Sequence, residues 1–190
     1  MDEKKLVDFL HEAGQLKRVK RTGWWLEGVK DPESVAEHSY RTTIIAYFLA
    51  KIEGADAYKT AMICLFHDIH ETRLNDSHKL AQRYINLEKA EKECLKEQFS
   101  MLGNEGKEIF SLINKIGDEK TKEAVIAKDA DLLEDALQAK EYYEIGHKTA
   151  IEHINRIKKL VKLDSSKRIL KIIEKNSSYE WFKELKKLER

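Results

Sequence analysis

The chain has a single proline and eight glycines in 190 residues, so little in it interrupts a helix. Strand-like alternation of apolar and polar residues is absent almost everywhere, which argues against a fold built on a sheet. Two cysteines, Cys64 and Cys94, are too few for a disulfide framework. Cys64 falls in an apolar run and reads as core, so a reducing, cytoplasmic setting is expected. A dominant sign of charge is missing as well: 35 basic residues face 34 acidic ones, for a net charge of +1. No bulk field therefore argues for nucleic acid or a membrane surface as a partner. The longest basic stretch, Lys17-Arg18-Val19-Lys20-Arg21, is short, though it suffices for one phosphate. No apolar run approaches the ~18 residues of a membrane span. The N-terminus is charged within its first four residues, so no signal peptide is expected. Repeats, low-complexity tracts and linkers rich in Ser, Gly or Pro are lacking, and the length suits one domain with a real core. High Lys and Glu with few Asn and Gln fits the composition bias of thermophile proteins.

What is present is apolar spacing of helical period. It predicts helices near 3–14, 34–53, 56–70, 79–102, 105–116, 121–146, 150–162 and 165–188, hence an all-α fold. The expected architecture is a single-domain helical bundle over 1–190, with 164–190 a C-terminal helical extension that packs on the bundle or on a partner subunit. Gly54, Gly103, Gly117 and Gly146 stand where helices should stop, as left-handed caps. Residues 15–33 are the least regular, holding Pro32, Gly23 and Gly28. A long loop in a tight helical domain is often functional.

The second helix has a well-marked start. Ser34-Val35-Ala36-Glu37 has the spacing of a capping box. His38 follows, and with Thr42, Ile45, Ala46 and Leu49 it forms the stripe expected to be buried. The third helix is apolar all round over Ala61–Phe66, as a central helix should be, and runs into His67-Asp68. A carboxylate at the end of a buried helix cannot stay unpaired, because burying an uncompensated charge is very costly. A metal ion supplies the missing charge. On a later helix Ile126, Ala130, Leu133 and Leu137 form the inner stripe. Asp131 lies beside that stripe and is expected to face inward or to the rim, whereas Asp129 is expected to point out. Periodicity leaves Glu134 and Asp135 undecided. Taken singly, a buried histidine is ordinarily a hydrogen-bonded core residue, and a His-Asp dipeptide arises by chance. Together, His38, His67, Asp68 and Asp131 form a mixed nitrogen and oxygen set suited to a divalent Mn, Fe, Co, Ni or Zn ion. Among the other histidines, His70 is expected near the site mouth and His78 in a polar loop. His11, His147 and His153 read as surface or helix-face residues.

The order His, His-Asp, Asp resembles the HD superfamily of metal-dependent phosphohydrolases. Several longer segments resemble its 5′-deoxynucleotidase branch, in the bacterial YfbR-type members and more nearly in those of the HD-domain-containing protein 2 type. These segments are Gln15–Trp24 followed by Pro32–His38, then His67-Asp68-Ile69-His70-Glu71 with Asp76, then Ala130–Glu134 with Leu137-Gln138-Ala139. The likeness spans roughly residues 5–145 and leaves out the segment Ser178–Phe182. It implies a helical HD fold, a metal held by His38, His67, Asp68 and Asp131, and hydrolysis of (deoxy)nucleoside 5′-monophosphates. It further implies that Arg21 binds phosphate, that Glu71 orients the attacking water or shuttles its proton, and that Asp76 is a second carboxylate at the leaving oxygen or the sugar. Read without the resemblance, Arg21 is a surface charge, Glu71 a helix-end charge and Asp76 the N-cap of a following helix. In the bacterial members an aromatic residue directly follows the arginine, whereas Thr22 stands here and Trp24 is displaced. Trp24 is thus either a sugar contact or a core residue. A homodimer is expected from the same resemblance. Other HD phosphohydrolases, acting on alarmones or cyclic nucleotides, and a non-catalytic nucleotide-binding HD domain are the alternatives.

Overall fold

In the computed structural model, residues 2–114, 120–183 and 185 are described. The capping box at Ser34 forms: its hydroxyl accepts from Glu37 N–H at 3.2 Å, and the Glu37 carboxylate accepts from Ser34 N–H at 2.6 Å. From it runs α2 (Val35–Glu53), closed by Gly54 in the left-handed region at φ 65°. Helix α3 (Ala57–Phe66) starts on the Asp56 side chain, which accepts from Lys59 N–H. The long α7 (Lys122–Glu144) starts on Thr121 in the same way. These three helices pack on one another. Where they meet, the contacts are small: Ala46, Cys64, Ala127 and Ala130 with Ile63 form a buried cluster that lets the backbones approach closely.

Around this centre α1 (Glu3–Ala13), α5 (Leu87–Ser100) and α6 (Gly103–Ile113) enclose a second cluster that includes Phe9, Phe99 and Ile113. Helices α8 (Ile151–Ile157) and α9 (Asp164–Lys175) complete the largest one, with Leu133, Ile154, Ile157 and Leu170. Each fully buried side chain of this size stabilises the fold by about 1.5–3 kcal/mol. Helices α5 and α6 touch at Gly106, where an added Cβ would lie 1.9 Å from the Phe99 carbonyl oxygen. Gly146, just past the end of α7, also takes positive φ as expected; Gly103 takes it as the first residue of α6 and does not cap α5, and Gly117 lies outside the described residues. Among the described residues there is no strand, and no helix is long and apolar enough to cross a membrane.

Several boundaries differ from expectation. The helix predicted over 56–70 ends at Phe66; the chain turns through 67–70 and a new four-residue helix, α4 (Glu71–Leu74), follows. The helix predicted from 79 starts only at Leu87, because the Asn86 side chain caps it by accepting from Lys89 N–H. The C-terminal helix stops at Lys175 and does not reach 188: Glu144 accepts from Ser178 N–H and from both Ser177 and Ser178 hydroxyls, drawing the chain away from helical hydrogen bonding. Asp129, expected outside, is buried and accepts from Lys162 and Leu163 N–H, tying α7 to the α8–α9 connection.

Candidate metal centre and active site

The site sits on the packed triple α2–α3–α7. His38 comes from the first turn of α2 and is fully buried. His67 and Asp68 come from the turn that ends α3, and Asp131 comes from the middle of α7. Their functional atoms converge. His67 Nε2 lies 3.1 Å from Asp68 Oδ2, His38 Nε2 lies 3.3 Å from Asp131 Oδ1, and the two Nε2 atoms are 3.4 Å apart. Asp68 Oδ2 is also 3.6 Å from His38 Nε2; it is buried and accepts no hydrogen bond.

The opposite ring nitrogens explain why both Nε2 atoms face inward. His67 Nδ1 is 2.7 Å from the Cys64 carbonyl oxygen, and His38 Nδ1 is 2.5 Å from Glu134 Oε2. A carbonyl or carboxylate at Nδ1 fixes the proton there and leaves the Nε2 lone pair for a metal. The donor set fits a divalent cation: the ligand atoms of His38, His67 and Asp68 gather together, Asp131 adds a second carboxylate beside His38, and one Asp68 oxygen accepts no hydrogen bond. Within the cluster the charges compensate one another. Burial and Arg21 oppose a proton on His38, yet Glu134 and Asp131 push its pKa up to about 10. Burial likewise opposes ionisation of Asp68, while His67, His38 and Arg21 hold it well below the ordinary carboxylate range.

On one side of this cluster lie the other expected residues. Arg21 Nη1 is 3.8 Å from Asp68 Oδ2 and 3.4 Å from Asp76 Oδ1. Asp76 caps no helix. Its Oδ2 accepts from both the backbone N–H and the hydroxyl of Thr22, each at 2.6 Å. Glu71, at the start of α4, is buried, and its Oε2 has no hydrogen-bond partner. Burial first, and then the charges of Asp68 and Asp76, raise its pKa to about 10. Arg18 points elsewhere, donating to Gln15.

Trp24 is not brought to the site. It is 2% exposed in the largest core cluster, stacked on His153 at 4.3 Å, with Nε1 donating to Glu33. A ring of this size gains more from burial among Tyr142 and His153 than from facing water. His153, read as a surface or helix-face residue, pairs with Asp135 at 3.2 Å. His70 is buried, 3.5 Å from Glu91. Two residues of the site had no assigned role: Thr22, which holds Asp76, and Glu134, which holds His38. Their signals were present, Thr22 directly after Arg21 and Glu134 one turn beyond Asp131.

A family model described as HD domain matches residues 13–173. The chain belongs to the HD-domain family. Among curated HD-domain relatives, 5′-deoxynucleotidase HDDC2 of Dictyostelium discoideum is 34% identical over 150 residues, covering 74% of this chain and 79% of that protein. The protein of the same name from Homo sapiens is 34% identical over 149 residues, covering 75% and 71%. Among solved structures, a conserved hypothetical protein from Pyrococcus furiosus superposes with a TM-score of 0.75 at 36% identity, covering 88% of this chain and 96% of that one.

Proposed function

We propose that this HD-domain protein is a metal-dependent 5′-nucleotidase that hydrolyses (deoxy)nucleoside 5′-monophosphates to nucleoside and phosphate. The observation that carries the reading is the placement of Arg21, with Asp76 behind it, and of Glu71 beside Asp68, the carboxylate that joins His38 and His67, with Asp131 on His38. The names of the HDDC2 relatives support the substrate class. His38, His67, Asp68 and Asp131 would hold a divalent transition ion, which would supply Lewis acidity toward a phosphoryl oxygen and lower the pKa of water at the site.

The protein's own groups do the rest. Arg21, anchored by two carboxylates, offers its remaining N–H groups to the phosphoryl oxygens. Glu71, whose Oε2 is unengaged, would take the proton of the attacking water in its ionised form, which the charge of a cation at the four ligands would favour against burial and the Asp68 and Asp76 carboxylates. Water oxygen bonds to phosphorus, the bond from phosphorus to O5′ breaks, and the proton passes to O5′. Asp76 has both oxygens engaged and acts as the fixed carboxylate that orients Arg21 and meets the sugar. Two buried free cysteines support a reducing, cytoplasmic setting.

The deciding experiment is a phosphate-release screen with added Mn or Co over deoxy- and ribonucleoside mono-, di- and triphosphates, cyclic nucleotides and alarmones. Turnover confined to 5′-monophosphates is expected. Turnover only of cyclic nucleotides or alarmones, or of nothing, would replace the reading by one of the other HD functions. A second expected outcome concerns Arg21. Charge-assisted bonds to a phosphate are worth about 1.5–3 kcal/mol, so Arg21→Ala should lower kcat/KM by roughly 10- to 100-fold. Arg21→Lys should recover only part, because it keeps the charge and loses the planar fork. Metal content should be unchanged in both variants, and Arg18→Ala should have little effect. A critical Arg18 with an indifferent Arg21 would overturn the assignment.

The homodimer belongs to the same proposal. Helices α2 and α3 turn an apolar face to solvent, formed by Tyr40, Ile44, Phe48, Ile52, Tyr58 and Met62. Tyr47 joins the two stripes, its ring 5.4 Å from Phe48 and 5.7 Å from Tyr58. The three exposed aromatics alone present roughly 400 Å², and the whole face exceeds what monomers ordinarily leave open and approaches the ~800 Å² per partner of a stable interface. A second copy is the occupant we assign. Light scattering should give a dimer for the wild type and a monomer for Phe48→Glu, with unchanged helicity; a monomeric wild type would refute it.

A further inference from the structure

Glu134 is a fully buried carboxylate with two donors on it. One is His38 Nδ1 at Oε2; the other is Arg41, whose Nε lies 2.9 Å and Nη2 2.8 Å from Oε1. The same guanidinium donates through Nη2 to Gln138 Oε1 at 2.8 Å and through Nη1 to Glu141 Oε1 at 2.6 Å. The three acceptors stand at 134, 138 and 141, successive positions on one stripe of α7. Arg41 comes from the second turn of α2, three residues after His38. A planar fork that engages three acceptors leaves itself, and Glu134, little rotational freedom.

We infer that Arg41 is a positioning residue of the metal centre, acting through Glu134 to hold the His38 ring with Nε2 facing the other ligands. The line of bonds runs from Arg41 to Glu134 to His38. Glu134 needs both of its oxygens as acceptors, because both neighbours donate. An amide in its place has only one acceptor and sets its NH₂ against one of the donors. Arg41 fixes which carboxylate oxygen faces His38 and keeps that oxygen from turning away. The partly exposed rim position of Arg41 does not weaken this role, since the bond it serves is fully buried. Gln138 and Glu141 give the guanidinium its seat.

This inference rests on the metal centre and is independent of the substrate. The test is a double-mutant cycle read by metal affinity, with Zn²⁺ titrated against a chromophoric chelator in the full chain. Replacing a group behind a ligating histidine typically weakens metal binding by ~10- to 100-fold. Glu134→Gln should show that scale and Arg41→Ala a loss of ~10-fold. The double variant should bind no more weakly than Glu134→Gln alone, because Arg41 acts only through Glu134. In the Zn-loaded wild type the His38 Nδ1 proton should be a sharp, slowly exchanging NMR signal, and in Arg41→Ala it should broaden or vanish. Should Arg41→Ala fail to fold, Arg41→Lys takes its place in the cycle with the same criteria. Affinity losses that multiply in the double variant, or wild-type affinity in Arg41→Ala, would overturn the inference while leaving the metal centre intact. A wild-type chain that takes up no ion overturns the centre and the inference together.

Discussion

Asp68→Ala is expected to remove bound metal and activity in one step. Asp68 supplies one of the two carboxylates of the ligand set, and its Oδ2 lies within 3.6 Å of both histidine Nε2 atoms. Without it one carboxylate, Asp131, faces two imidazoles, and Arg21 loses an anchor 3.8 Å away. Elemental analysis should fall from about one ion per chain to near zero, and phosphate release should drop to background. Thermal melting gives an independent readout. Metal at a hundredfold excess over its dissociation constant stabilises the native state by about 2.7 kcal/mol. For a chain of this size that corresponds to a rise in Tm of roughly 5–10 °C. The rise should be present in the wild type and absent in Asp68→Ala and in the isosteric Asp68→Asn. Unchanged metal content in both variants would refute the ligand assignment.

How much of this arrangement was legible in the sequence depends on how local each signal is. The start of α2 was legible because a capping box is written in four consecutive residues, and His38 follows it directly. The apolar run of α3 and the inner stripe of α7 were legible because burial imposes a period. Those signals led to a helical bundle in which His38, His67, Asp68 and Asp131 come together. The end of α3 was read too long: nothing in the run from His67 to Glu71 announces that the chain turns and restarts. Glu71 therefore reaches the site at the start of α4, and not as a charge at the end of α3. Asp129 was misplaced because its partners, Lys162 and Leu163 N–H, belong to a connection more than thirty residues away. The same holds for Glu134, whose partner His38 is 96 residues distant. One helix's pattern cannot register what crosses it. Trp24 illustrates the opposite case, in which a motif position suggested a ligand contact and packing with Tyr142 and His153 claimed the ring for the core.

Glu71→Gln should separate chemistry from metal binding, and it should do so with a stability change of opposite sign. Glu71 is not among the four ligands, so metal content should stay at the wild-type level. Loss of a general acid or base typically lowers kcat by 10²- to 10⁴-fold, and that is the expected scale. The fold should gain. In the metal-free protein, burial and the neighbouring Asp68 and Asp76 raise the Glu71 pKa from 4.5 to about 10. Above pH 4.5 the unfolded chain has released this proton while the folded chain retains it, so stability falls with rising pH until the folded pKa is passed. The slope is at most ~1.4 kcal/mol per pH unit. Glutamine keeps the neutral shape and carries no such cost. In the presence of a chelator, the Tm of Glu71→Gln should therefore exceed that of the wild type by a margin that widens from pH 5 to pH 9. Near-normal kcat in this variant would move the proton-transfer role to Asp76. A Tm difference that is flat with pH would show that the Glu71 carboxyl ionises as freely in the fold as in the unfolded chain.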